Sequence, residues 1–142
     1  MASTFRHRLR VRYGECDPQG VVFNANYLAY FDLVLTELWR EAIGAYNEMV
    51  AAGADMVVAE ATVRFRSSAT FDDELDFTAT LANLGNTSMT THIEARIGDR
   101  LVVEGEMRHV FIDPATKQKR AMPDDIRAAL EPYAAAAEGA AA

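Results

Sequence analysis

Asn24-Ala25-Asn26-Tyr27-Leu28-Ala29-Tyr30-Phe31-Asp32-Leu33-Val34-Leu35-Thr36-Glu37-Leu38-Trp39 decides how this chain folds. Tyr27, Tyr30, Phe31, Val34, Leu35, Leu38 and Trp39 recur at spacings of three and four, which sets them along one broad face of a helix. The other side carries Leu28, Ala29 and Leu33, so the helix is expected to be nearly surrounded by protein. Asn24 or Asn26 is suited to cap its start, because a short side-chain oxygen accepts from the first-turn amides. Gly44 should break the helix, with a short second one running to Gly53.

Outward from this helix the period changes to two. Residues 5–13 alternate Phe5, Leu9, Val11 and Tyr13 against Arg6, Arg8, Arg10 and Arg12, a half-buried strand, and Gly14 to Gly20 reads as a loop. After the helix, residues 57–66 place Val57, Ala59, Ala61, Val63 and Phe65 on one face, and residues 75–82 do the same with Leu75, Phe77, Ala79 and Leu81. Leu84-Gly85-Asn86 turns into a strand bearing Met89, Thr91, Ile93, Ala95 and Ile97. Gly98-Asp99 then makes a hairpin into Leu101–Ile112. Gly105 within that strand suggests a bulge or a close backbone approach, and Asp113-Pro114 ends it. A short helix over 123–133 precedes an alanine-rich tail, 134–142, expected to fray. Hairpin-linked strands form an antiparallel sheet, and the apolar helix must pack on its inner face. The expected class is α+β: one domain over 1–133, a curved antiparallel sheet wrapped around a long central helix.

The composition suits a globular domain. The chain has 142 residues, is half apolar and carries a net charge of −7, which disfavours nucleic-acid binding. The N-terminus has no apolar block of signal-peptide length, and no run is long enough to span a membrane. Cys16 is the single cysteine, so no internal disulfide can form. A cytoplasmic protein is expected. Two basic islands stand out on this acidic chain, the alternating arginines from Arg6 to Arg12 and the cluster Lys117, Lys119 and Arg120.

Tyr13-Gly14-Glu15-Cys16-Asp17-Pro18-Gln19-Gly20-Val21-Val22-Phe23-Asn24-Ala25-Asn26-Tyr27 joins the first strand to the central helix. It resembles the signature of the 4-hydroxybenzoyl-CoA thioesterase family of the hotdog superfamily, an acidic D-x-x-G-x-V/I-x pattern ahead of an N-Y that begins the helix. Weaker similarity continues through Val63-Arg64-Phe65, Phe71-Asp72-Asp73-Glu74-Leu75 and His109-Val110-Phe111-Ile112-Asp113, covering about residues 5–125. The resemblance implies the hotdog fold and hydrolysis of acyl-coenzyme A thioesters. It implies catalysis by Asp17, carbonyl polarisation at Asn24, and a turn at Gly20 that keeps a Cβ away from the thioester. Physical chemistry is compatible: unpaired first-turn amides and the helix dipole suit a developing oxyanion. Asp17 is open to two roles, nucleophile or base activating water. The thiolate leaving group, with a pKa of about 8.5 like an unperturbed thiol, needs no strong general acid.

Further candidates follow from the same resemblance and, for the basic residues, from the charge pattern. Asn26 and Tyr27 complete the motif, Asp32 lies where the central helix approaches the acyl group, and Ser88, beside Thr87, lies near the thioester. Arg64, Arg66 and the cluster Lys117, Lys119 and Arg120 are candidates for the phosphates of coenzyme A, which enters as part of the substrate; no other cofactor is implied. Cys16 points away from Asp17 and has no nearby histidine to activate it. His7, His92 and His109 fall on three different strands without ligand spacing, so no metal is expected. The hydratases sharing this fold use an active-site histidine, and none lies between His7 and His92. A homodimer or homotetramer is implied, with the active site between subunits. Two alternatives stay open: a non-catalytic acyl-CoA-binding module, and a thioesterase acting on acyl carrier protein.

Overall fold

The computed structural model describes residues 3–134. The expected fraying falls on a tail that, beyond Ala134, lies outside the described residues. Ala134 itself still bridges Leu81. The order of elements is β1 (Phe5–Arg10), a 3-10 turn (Tyr13–Glu15), α1 (Asn26–Ala42), α2 (Tyr46–Ala51), β2 (Asp55–Phe65), β3 (Glu74–Leu84), β4 (Ser88–Ile97), β5 (Arg100–Ile112) and α3 (Asp124–Leu130). The five strands form one antiparallel sheet in the order β1-β3-β4-β5-β2. The three central strands are joined by short hairpins, leaving β1 and β2 as the edges. Among the described residues, no helix is long and apolar enough to cross a membrane.

The helix face drawn from spacing is the face that packs. All seven of its apolar residues are buried, and Phe31, Val34 and Leu38 have no exposed surface. They meet the inward residues of the central strands, among them Leu75, Phe77, Met89, Ile93, Met107 and Phe111. Burial of each such side chain contributes about 1.5–3 kcal/mol. This is the hotdog arrangement.

Gly105 belongs to that contact. A Cβ there would lie 1.9 Å from the carbonyl oxygen of Thr62 and 3.0 Å from the Phe31 ring. The ladder runs through Gly105 in register on both sides, opposite Val63 and Ile93, so the glycine marks a close approach and not a bulge.

Four expectations change. First, β2 carries a bulge between Val58 and Glu60 that reverses its alternation. Met56 and Val58 share the inward face with Ala61, Val63 and Phe65, because their partners on β5 are the inward Phe111 and His109. Val57 and Ala59 therefore point outward. Second, β1 ends at Arg10, and Tyr13 is 80% exposed against the edge of Phe71. Third, α1 is not surrounded within one chain, since Leu28 is 44% exposed and Ala29 is exposed. Fourth, no side chain caps α1: Ala25 holds the cap position in a helical conformation, because tight turns start the helix instead.

Candidate active site

The loop between β1 and α1 is tied shut by its own backbone. Cys16 and Val22 bridge, the Asp17 amide donates to the Val21 carbonyl at 2.9 Å, and the Gly20 amide donates to the Asp17 carbonyl at 2.8 Å. Gly20 sits at φ 82°, a left-handed conformation that a side chain would strain. The Asp17 carboxylate is half-buried, and its Oδ1 accepts from the Gln19 amide at 2.9 Å. Glycine at 20 is thus what the local geometry favours.

The start of α1 beside this loop differs from an open helix end. The amides of Asn26, Tyr27 and Leu28 donate to the carbonyls of Phe23, Asn24 and Ala25, three residues back. The first-turn amides are therefore largely taken. Among the described residues, the amides of Asn24 and Ala25 have no backbone partner. Asn24 is the position the motif singles out.

Glu15 holds loop and helix together, a role the motif did not reveal. Its carbonyl accepts from the Phe23 amide at 3.0 Å and from Asn26 Nδ2 at 2.8 Å. Its carboxylate accepts from Tyr30 Oη and from the Arg12 amide, each at 2.8 Å, and also from the Arg12 guanidinium. Burial opposes the charge, but the hydrogen bonds from Arg12 and Tyr30 outweigh it and hold the Glu15 pKa below its ordinary value. Asn26 is thus engaged in fixing the loop. Tyr27 is buried against the rings of Tyr30 and Phe65, and burial pushes its hydroxyl up to about 12.

A sizeable cleft lies elsewhere among the described residues. It has a volume of about 710 Å³ and opens between the second half of α1, the α1–α2 connection and the inner faces of β2, β4 and β5. Asp32, Leu35, Trp39, Met56, Met89 and His109 are on its walls; Asp17, Gly20 and Asn24 are not. Within one chain, the carboxylate loop and the residue assigned to the acyl group are thus separate. Val58 also lines the cleft and is 48% exposed on the free edge of β2. His109 is the inward residue missed most plainly: the alternation Val103, Gly105, Met107, His109, Phe111 already pointed it at the core.

The proposed phosphate contacts fare unequally. Arg64 is held by Glu106 at 2.8 Å and Arg66 by Glu104 at 3.0 Å, so both are committed to ion pairs on the sheet. Arg120 donates to the Gly53 carbonyl at 2.7 Å, which leaves Lys117 and Lys119 as the exposed members of that cluster. Ser88 opposite Val110 faces away from Met89 and the cleft. His92, Glu94 and Glu104 come close enough for a shared cation, but His92 is bonded to Glu106 at 2.9 Å and Glu104 to Arg66 at 3.0 Å. Cys16 lies in the loop, partly buried.

A helix wrapped by such a sheet is found in known proteins. The sequence profile of the thioesterase-like superfamily matches residues 11–130. The chain belongs to that superfamily. It is 30% identical to the acyl-CoA thioester hydrolase YbgC of Escherichia coli, over 86% of this chain and 92% of that protein. It is 26% identical to a 1,4-dihydroxy-2-naphthoyl-CoA hydrolase of Nostoc punctiforme, over 96% of this chain and 93% of that protein. A thioesterase-superfamily structure from Jannaschia shares the fold with a TM-score of 0.86 at 22% identity, covering 93% of this chain and 94% of that one.

Proposed function

We propose that this thioesterase-superfamily chain hydrolyses acyl-coenzyme A thioesters, releasing a carboxylic acid and free coenzyme A. The observation that carries the reading is the Asp17 carboxylate, fixed by an Asx turn in the loop that leads to α1, whose Asn24 and Ala25 amides have no backbone partner among the described residues. Its similarity to named thioester hydrolases supports the same substrate class. The thioester carbonyl oxygen would lie on those amides, which stabilise it as negative charge develops. Asp17 would either attack the carbonyl carbon or take a proton from the attacking water. The thiolate departs without a strong acid behind it.

The separation of loop and cleft supports a site shared between two copies. Among the described residues the outer edge of β2 is unpaired, and Val57, Val58 and Phe65 are exposed along it. Pairing β2 with its symmetry mate would cover that edge and bring one chain's cleft towards the other's loop, so a homo-oligomer built on a dimer is the assembly proposed. Lys117 and Lys119 would meet the phosphates of coenzyme A.

The deciding experiment is thiol release by Asp17→Asn across aromatic, short-chain, long-chain and branched acyl-CoA substrates. The variant should keep the wild-type fold and lose at least about a hundredfold in kcat, the scale of lost acid–base function. Cys16→Ala should remain active. Near-wild-type turnover by Asp17→Asn would remove this carboxylate from the mechanism.

A further inference from the structure

One side chain ties the two sides of the cleft together. Tyr46 lies just beyond α1, where it forms part of the cleft wall with Gly44 and Ala45. Its ring packs edge-on against Trp39, with the ring centres 6.1 Å apart. Its hydroxyl donates to Asp55 Oδ1 and accepts from the Met56 amide at 3.2 Å, so it ends on the first two residues of β2. The Asp32 carboxylate on α1 is near enough to act on that hydroxyl electrostatically. Partial burial first, and then the bond to Asp55, push the Tyr46 pKa up to about 12, so the phenol keeps the proton that it donates.

The segment that carries Tyr46 is otherwise lightly anchored. Within α2 only Met49 is buried. Left-handed glycines stand on both sides of it, Gly44 at φ 111° and Gly53 at φ 102°. Arg120 ties down the far end by donating to the Gly53 carbonyl at 2.7 Å. Among the described residues, Tyr46 is the side chain of this segment that hydrogen-bonds outside it. Short elements with little buried apolar surface open at the low end of the stability range. The Tyr46–Asp55 contact is therefore what opposes such opening at the cleft.

Resting on the thioesterase reading, we propose that the Tyr46–Asp55 contact is a latch that selects acyl groups by size. A short chain fills the cleft with the latch closed, and a long one needs the latch broken and the α2 segment swung outward. Leu35, Met56, Val58 and Met89 make the neighbouring wall apolar, so an alkyl chain is the occupant that matches it. A substrate that needs the open form has its apparent affinity reduced by the fraction of molecules that are open. A short chain binds without opening and escapes that reduction. Tyr46→Phe removes the latch and keeps the ring against Trp39, which separates the hydrogen bond from the packing.

The test compares thiol release from dodecanoyl-CoA and hexanoyl-CoA by wild type, Tyr46→Phe, Asp55→Ala and Asp55→Asn. Tyr46→Phe and Asp55→Ala should each raise the dodecanoyl-to-hexanoyl ratio of kcat/KM by about three- to tenfold, the worth of one net hydrogen bond. The double variant should raise it no further, because both changes remove the same contact. Asp55→Asn keeps an acceptor for the phenol and should stay near the wild-type ratio. Because the readout is a ratio within one preparation, a partly misfolded variant cannot imitate it. An unchanged ratio in either Tyr46→Phe or Asp55→Ala, or full additivity in the double variant, overturns the proposal. A second arm needs no turnover. Trp39 is the sole tryptophan and is 3% exposed beside the Tyr46 ring, so its quenching by acrylamide should rise in Tyr46→Phe and Asp55→Ala. Calorimetric binding of the thioether S-dodecyl-CoA should tighten against S-hexyl-CoA by the same about three- to tenfold. If no thioester releases thiol, the hydrolase reading fails on its own, and unchanged quenching with an unchanged thioether ratio then rejects the latch.

Discussion

Replacing Glu15 probes the link between fold and chemistry, because this one side chain ties the Asp17 loop to α1. In Glu15→Ala, Tyr30 Oη loses the acceptor it now meets at 2.8 Å, and Tyr30 is only 3% exposed. Leaving that hydroxyl unmet costs about 1–3 kcal/mol. The Arg12 contact is open to water and adds little. For a domain of this size, the loss corresponds to a Tm lowered by roughly 3–10 °C. The catalytic effect should be larger than the thermal one suggests, since a carboxylate displaced by about 1 Å can lose a hundredfold in rate. Glu15→Gln keeps an acceptor for Tyr30 and should therefore recover most of both. The pH dependence gives an independent sign. The pKa of Glu15 is depressed in the folded chain. Its charge thus stabilises the fold above the unfolded carboxyl value of about 4.3, and that stabilisation is lost as pH falls through the lower folded value. The gap in Tm between wild type and Glu15→Gln should accordingly be present at pH 7 and close in acid. Calorimetric melting from pH 7 down to pH 3, with kcat on one acyl-CoA substrate, makes the measurement. A Glu15→Ala protein with wild-type Tm and wild-type kcat would refute the latch.

Two further outcomes follow from single contacts. Gly105→Ala should be destabilised by about 1–3 kcal/mol or more, the scale of overpacking, because its Cβ would collide with the backbone oxygen of Thr62, which cannot swing aside. A denaturant melt reads this directly, and unchanged stability would mean that β2 shifts freely. Lys117→Ala/Lys119→Ala should raise KM for an acyl-CoA about two- to fivefold at low salt, leave kcat alone, and lose the effect at high salt, as exposed charge contacts do. Arg120 is left intact in that variant because its bond to Gly53 is structural. An unchanged KM at low salt would place the phosphates elsewhere.

Local pattern carried much of this protein. The spacing from Tyr27 to Trp39 identified the buried face of α1, and alternation placed β3 and β4 correctly, because each of those elements meets one continuous core. The loop motif located Asp17, Gly20 and Asn24 next to the helix start, since they are close in sequence and their turn is made by their own backbone. Alternation failed at β2, where one extra residue at the bulge reverses every side chain before it, and nothing in Val57-Val58-Ala59-Glu60 signals that slip. Capping failed at α1 because Asn26 already lies inside the helix and its side chain is turned to donate Nδ2 to the Glu15 carbonyl, eleven residues back along the chain. The cleft is a tertiary product altogether. It joins residues of α1, β2, β4 and β5, and the partners of Arg64, Arg66 and Arg120 likewise come from distant segments. Which polar groups are satisfied, and which remain for a ligand, depends on contacts between elements far apart in the chain, and only the folded sheet brings those elements together.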